Sequence, residues 1–191
     1  MQENIVIIPT YNEKENIEKI ILAILDLPEE FHILIIDDSS PDGTADIVRS
    51  LLNSFPDKLH LIQRPEKSGL GTAYIKGFKW ALTKNYTYIY EMDADFSHNP
   101  VDLLKLYHAC NEKGADLAIG SRYINGVTVI NWPIGRVIIS YLASIYVRMF
   151  TGMKIMDPTA GFKCYSRKVL ETINLDNIKF KGYAFQIEMK F

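Results

Sequence analysis

Cysteine is scarce. Cys110 and Cys164 are the only two in 191 residues, too few for a disulfide framework, and neither stands at metal-ligand spacing from a second cysteine or a histidine. A reducing, cytoplasmic compartment is the expectation. Net charge is almost absent as well. The 21 Lys and Arg residues against 23 Asp and Glu leave −2, so nothing draws the chain as a whole to nucleic acid, and any anionic partner has to be met by a local cluster. No apolar run approaches ~18 residues, so no segment reads as spanning a bilayer by itself. The start Met1-Gln2-Glu3-Asn4 lacks the basic region of a signal peptide. Repeats and low-complexity linkers are missing too. What is left, 48% hydrophobic and 23% charged, suffices for the core of one globular domain and excludes disorder, collagen and coiled coil.

Short apolar runs alternate with amphipathic stretches, the pattern of strand-helix-strand units and a mainly parallel α/β sheet. Ile5-Val6-Ile7-Ile8 is apolar at every position, which predicts a central strand covered on both faces. Pro9 ends it, and Asn12 with Glu15 gives a capping-box-like start to a helix through Leu25. Ile33–Ile36 repeats the pattern and leads into Asp37-Asp38-Ser39-Ser40-Pro41, where Ser40 reads as an N-cap and Pro41 as the first helical residue. Further strands are predicted at Leu59–Gln63, Tyr86–Met92 and Asp116–Ile119, with helices at Thr72–Thr83 and after Asn99-Pro100. In such sheets ligands gather beyond the carboxyl ends of the strands, and that edge collects the polar motifs. Residues 133 to 150 predict a helix of another kind: Arg136, Ser140, Ser144 and Arg148 form one narrow polar stripe on an otherwise apolar surface. It needs cover from protein or from lipid.

Asp93-Ala94-Asp95 carries the strongest local signal. Residues i and i+2 of an extended segment point the same way, and two carboxylates facing one spot suit a divalent cation whose shell phosphate oxygens complete. The plainer alternative is a pair of turn aspartates preceding a helix cap. Asp37-Asp38 suits a ribose hydroxyl or a base edge, or else the dipole of the following helix. Tyr11-Asn12-Glu13 offers a ring and polar groups to a base. The loop Lys67-Ser68-Gly69-Leu70-Gly71 offers small residues for close backbone approach but is no dinucleotide fingerprint, because Tyr74 stands where a third glycine is required. Arg122 and Arg136 read as cations for a second anion. His32, His60, His98 and His108 lack ligand spacing, and only His98 stands near the paired acids.

Taken in order, Pro9-Thr10-Tyr11-Asn12-Glu13, Asp37 to Thr44, Gly69 to Ala73, Asp93 to His98 and Gly120-Ser121-Arg122-Tyr123 resemble the family 2 glycosyltransferases of GT-A fold. Asn131-Trp132, Arg136, Ser140, Asp157 to Lys163 and Gly182 to Met189 extend the resemblance to the branch of dolichol-phosphate (polyprenyl-phosphate) mannosyltransferases. It covers essentially the whole chain. It implies one domain, with residues 1–130 as the nucleotide-sugar-binding core and 131–191 as an acceptor and membrane-interface segment. It also implies a GDP-mannose donor, a polyprenyl or dolichyl phosphate acceptor and Mg2+ or Mn2+. Carried over, Pro9, Tyr11, Glu13, Asp38, Asp93, Ala94 and Arg122 bind the nucleotide. Asp93, Asp95 and Ser97 serve the metal, though serine is shorter than the glutamine some relatives have there. Arg136 and Ser140 bind the acceptor, and Asp95, Arg122 and Arg136 carry catalysis. The implied location is the cytoplasmic face of a membrane, peripherally, with a membrane-anchoring partner. Relatives continue past the equivalent of Phe191, so a C-terminal truncation is expected.

Other readings are a nucleotidyltransferase, against which the Pro-Thr-Tyr-Asn-Glu loop stands in place of a Gly- and basic-rich one, and a UDP-glucose-dependent polyprenyl-phosphate glucosyltransferase. A transferase acting on a sugar hydroxyl needs a carboxylate base, for which Asp157 is the candidate. A non-catalytic nucleotide-sugar-binding subunit is the non-enzyme alternative. A lipid phosphate monoester has its second pKa near ~6 and is largely dianionic at neutral pH, so an attack by it needs no protein base. That agrees with the lack of a catalytic histidine pattern and implies a single, inverting displacement.

Overall fold

A computed structural model describes residues 3–123 and 134–191. The chain runs β1 (Asn4–Thr10), α1 (Ile17–Leu25), β2 (Phe31–Asp37), α2 (Thr44–Leu52), β3 (Leu59–Gln63), α3 (Leu70–Leu82), β4 (Tyr88–Glu91) and α4 (Asp102–Asn111). It continues through β5 (Leu117–Ile119), α5 (Ile134–Thr151), β6 (Lys163–Ser166), α6 (Arg167–Thr172) and α7 (Tyr183–Glu188). Among the described residues the strands form one sheet in the order β3-β2-β1-β4-β6-β5. β1 is central and pairs in parallel with β2 and β4, as its uninterrupted apolar run predicts. The sequence pattern did not announce β6, which runs antiparallel to both β4 and β5.

The pleat sorts the core into two layers. Val6, Ile8, Ile33 and Ile35 pack with α1, α2 and α4 on one face, while Ile5, Ile7, Leu34 and Ile36 pack with α3, α6 and α7 on the other. All eight are fully buried, each contributing roughly 1.5–3 kcal/mol of transfer free energy. The registers Thr10↔Asp37 and Ile7↔Glu91 bring the ends of β1, β2 and β4 to a common edge. Tyr11 to Glu13, Asp38 and Asp93 therefore leave the sheet side by side.

Three predicted helix starts are corrected. Asn12 does not cap α1: it has φ 62°, and Asn16 precedes the helix, with the Glu13 carbonyl accepting the N–H groups of Asn16 and Ile17. Ser40 does not cap α2, because its hydroxyl donates to Asp37 at 2.6 Å. The helix starts later, behind Gly43 at φ 91°, with the Asp42 carboxylate accepting the N–H of Thr44 at 3.0 Å. Asn99 turns the chain ahead of α4, its side chain accepting the N–H of Val101 at 3.1 Å, but the regular helix begins at Asp102. In each case a short polar side chain bonds locally or across the loop before the helix begins.

α5 matches the expected greasy helix within a residue. Its apolar side chains face outward: Ile139 is 70% exposed, Met149 73% and Phe150 69%, whereas Ser144 in the polar stripe is 1% exposed. Burial of the whole helix in the core is thereby excluded for the described residues. Tyr141 meets Tyr123 edge to face at 5.4 Å between centroids, which sets the helix next to Arg122. Among the described residues no helix is long and apolar enough to cross a membrane.

Candidate active site

Two chambers adjoin over the carboxyl ends of β1, β2 and β4. The first, about 230 Å³, is lined by Pro9, Tyr11, Glu13, Asp38 and Ala94 among others. The second, about 480 Å³, is lined by Ser97, His98, Arg122, Thr159, Gly161 and Gln186. Asp93, Asp95, Lys67 and Leu70 belong to both. The fold thus gathers at one place Pro9, Tyr11, Glu13, Asp38, Asp93, Ala94, Asp95, Ser97 and Arg122, while Asn12, Asp37 and Asp157, also named from the sequence, line neither chamber. Ser140 lies half-buried on α5, outside the lining of either chamber, and the side chain of Arg136 lies outside the described residues, as do Asn131 and Trp132.

The acid pair converges by a different route from the one expected. β4 ends at Glu91, and Ala94 and Asp95 form a turn rather than an extended continuation. Phe96 holds φ 55°, a conformation that costs a non-glycine residue energy and tends to mark functional loops. Asp95 accepts the N–H of Ser97 at 3.0 Å. Asp93 accepts a hydrogen bond from the buried Tyr74 hydroxyl at 3.3 Å. Burial first, and then the charge of Asp95, pushes Asp93 up to about 6, with Glu91 and Glu13 adding to the rise. Burial likewise raises Glu13, helped by Asp95 and Asp42 and opposed by the amide of Asn16. The centre of the site is short of positive charge.

The cations nearby are already engaged. Arg64 pairs with both oxygens of Asp38 at 2.5 and 2.6 Å and also reaches Thr72, so the ribose-side acid is fixed from behind. Asp37 is not a ligand candidate: it is fully buried and accepts from Thr10, from the Ser40 amide and from the Ser40 hydroxyl. The Lys67 ammonium sits 3.9 Å from the centre of the Tyr11 ring. Arg122 makes a forked pair with Asp157, Nε and Nη2 each at 2.7 Å, and donates to Thr159 at 2.6 Å. Burial opposes both charges, but the pairing outweighs it, raising Arg122 and lowering Asp157. A fully buried carboxylate so held is a poor base, which removes the reading that cast Asp157 in that role.

Several site residues escaped the sequence reading. Beneath the chambers, fully buried Glu91 meets Lys163 at 3.1 Å, Tyr165 at 3.2 Å and the Gln186 amide at 2.8 Å, and Lys163 also donates to Gln186. The Lys190 Nζ donates to the carbonyls of Pro158 and Ala160 at 2.8 and 2.9 Å. His98, set apart only by its proximity in sequence, stacks on Phe162 at 4.7 Å, and burial lowers its pKa. Gly71 is small for a reason other than ligand approach: a Cβ there would lie 2.8 Å from Phe185 and 2.9 Å from the Phe180 carbonyl, so it admits the segment leading into α7.

A hard divalent cation fits this donor set. Among the described residues no group of three or more His, Cys, Asp or Glu side chains is disposed around a metal position. Asp93 and Asp95, which border both chambers, offer hard oxygen donors of the kind that hold a cation by one or two carboxylates with phosphate oxygens completing its shell.

Comparison with known proteins agrees with this geometry. The family profile described as glycosyl transferase family 2 matches residues 5–173. Polyprenol monophosphomannose synthase of Mycolicibacterium smegmatis is 47% identical over 188 residues, covering 98% of this chain and 71% of that protein. Undecaprenyl-phosphate mannosyltransferase of Micrococcus luteus is 43% identical over 185 residues, 97% of this chain and 75% of that one. Among solved structures, mannosyltransferase PcManGT from Pyrobaculum calidifontis, in complex with GDP-Man and Mn2+, aligns with TM-score 0.61 at 19% identity, over 90% of this chain and 46% of that one. Glucosyl-3-phosphoglycerate synthase from Mycobacterium tuberculosis, with Mn2+, UDP-glucose and glycerol 3-phosphate, aligns with TM-score 0.68 at 17% identity, over 99% of this chain and 64% of that one. The chain belongs to glycosyltransferase family 2, with the GT-A fold, and is a glycosyltransferase.

The raised pKa of Asp93 has a consequence for stability. Its ionised form is disfavoured by folding, so it costs stability above about pH 6, and the cost disappears as pH falls toward 4, where the group is protonated folded or unfolded. Without metal, Asp93→Asn, which still accepts from Tyr74, is expected to be more stable than the wild type at pH 7 by on the order of 1–3 kcal/mol. The gap should close toward pH 4. Denaturant melts across that range check this; equal or lower stability of the variant at pH 7 contradicts it.

Proposed function

We propose that the protein transfers mannose from GDP-mannose to a polyprenyl phosphate at a membrane surface, by a single displacement with inversion. The observation that carries this reading is the pairing of two chambers across Asp93 and Asp95, one suited to a nucleoside and the other bounded by Arg122. The names of the relatives at 47% and 43% identity support the sugar and the lipid class of acceptor.

In this reading Tyr11, Pro9 and Glu13 border the base and Asp38, held by Arg64, takes the ribose. Asp93 and Asp95, with Ser97 beside them, hold a divalent cation, Mg2+ or Mn2+. When bound, that cation supplies charge neutralisation for the diphosphate and for the GDP that departs. Arg122, kept charged by Asp157, faces the same chamber and meets an oxygen of the acceptor phosphate. The acceptor, a phosphate dianion at neutral pH, attacks the anomeric carbon without a protein base, and the chain's task is to hold two mutually repelling anions in line. Arg136 and Ser140, both on α5, are the residues this reading assigns to the acceptor. The outward apolar face of α5, adjoining Arg122 through Tyr123 and Tyr141, suits the headgroup boundary where a polyprenyl phosphate resides.

Incubating the protein with Mg2+, GDP-mannose and polyprenyl phosphate in lipid vesicles, then weighing the lipid product by mass spectrometry, tests this. The expected product is lipid heavier by one mannosyl group, and Asp95→Ala should lower its formation by at least about 10²-fold. A lipid left unchanged by GDP-mannose but glycosylated in a parallel incubation with UDP-glucose, or an Asp95→Ala variant as fast as the wild type, overturns the assignment. Placing aspartate at Ile139 and Leu142, which are exposed on α5, should slow transfer on vesicles while sparing a short water-soluble isoprenyl phosphate. Equal rates on both acceptors contradict the membrane role.

A further inference from the structure

The loop from Asp157 to Gly161 is held from two sides. On the inner side Asp157 gives Arg122 three bonds, one to its backbone N–H at 3.1 Å and two to its guanidinium at 2.7 Å, and Thr159 adds another at 2.6 Å. On the outer side the Lys190 Nζ takes the carbonyls of Pro158 and Ala160. These two residues flank Thr159, so Lys190 fastens the backbone on both sides of one Arg122 partner and directly after the other. The same loop brings Gly161 against Asp93: a Cβ at that glycine would lie 3.7 Å from the carboxylate. The loop that Lys190 fastens thus meets Arg122 at one end and borders Asp93 at the other.

Among the described residues the Lys190 ammonium makes no ion pair, although it is half-buried. Burial, reinforced by the charges of Lys163 and Arg122, pushes it down to about 6. An amine without its third proton still has two N–H donors, the number of carbonyls it meets. Holding a group in such surroundings costs folding free energy, which is the expected trade where geometry is what the site requires.

We infer that Lys190 is a positioning residue, acting on Arg122 through the Asp157–Gly161 loop and so setting the arginine that meets a phosphate in the chamber. This rests on the proposed function for the identity of the phosphate, but not for the mechanical link. Lys190 itself lines neither chamber.

The test compares Lys190→Met, which keeps the length and loses the donors, with Lys190→Arg, which keeps donors. The first readout needs no turnover: hydrogen exchange of the Arg122 Nε–H, followed by nitrogen-15 NMR. It is expected to speed up about tenfold or more in Lys190→Met, the scale of losing a hydrogen bond to a charged group, and to return toward the wild-type rate in Lys190→Arg. The second is kinetic: kcat/KM for isoprenyl phosphate should fall by about tenfold or more in Lys190→Met, while GDP affinity with Mn2+ stays within about twofold. Unchanged exchange at Arg122, or equal loss of GDP affinity and acceptor use, overturns the inference. Should Lys190→Met fail to fold, exchange in Lys190→Arg and Lys190→Gln decides it, with protection at Arg122 expected to fall in Gln and unchanged protection in both counting against. If the wild type transfers nothing to polyprenyl phosphate, the proposed function fails while the Arg122 exchange still judges Lys190.

Discussion

Carboxylates held close, with no cation paired to Asp93 or Asp95 among the described residues, shape this molecule. Asp93 is pressed into the end of the sheet with Asp95 two residues on and Glu91 two residues back, and Glu13 borders the same chamber. A folded chain keeps such an arrangement only if the surrounding packing over-determines it. Here the central strand does so: β1 and β4 are locked in register through the buried residues of both layers, and neither can retreat from the edge without exposing isoleucines.

Given that deficit, the disposition of the arginines and lysines acquires a meaning. Arg64 is spent on Asp38, Arg122 on Asp157 and Lys163 on Glu91, each by short bonds among buried or nearly buried groups. None of the three neutralises Asp93 and Asp95 directly. They fix the walls and leave the centre negative, as suits a site whose missing charge arrives with its ligand. Family membership and the GT-A fold accord with that arrangement. The stretch from Phe180 through α7 ties the walls together: it touches Gly71, stacks Phe185 on Tyr74 beneath Asp93, and delivers Gln186 to Glu91.

Much of this was readable in the chain, for physical reasons. Ile5 to Ile8 and Ile33 to Ile36 declare buried parallel strands because no polar side chain interrupts them, and once those strands are aligned the polar residues following each must share an edge. The ordered motifs then gave the family. The helix starts were misread because Asn12 takes a left-handed backbone conformation and the Ser40 hydroxyl turns back to Asp37 instead of forward to the helix, choices that residue type and spacing do not encode. The site's supporting pairs were invisible for the same reason: Arg64 and Asp38 are 26 residues apart, and Gln186 and Glu91 are 95. Gly71 was legible as a small residue but not as the seat of Phe185. α5 was legible as a helix, and only the structure showed that its apolar flank looks outward.

The central claim is that Asp93 and Asp95 together hold a cation against a diphosphate. Crystals grown with GDP and Mn2+, examined by anomalous scattering at the manganese edge, address it directly. The account expects a single strong peak in contact with both carboxylates and with diphosphate oxygens, the nucleoside lying toward Tyr11 and Asp38. A manganese peak elsewhere, or a bound nucleotide with the two carboxylates turned away from its phosphates, would contradict it.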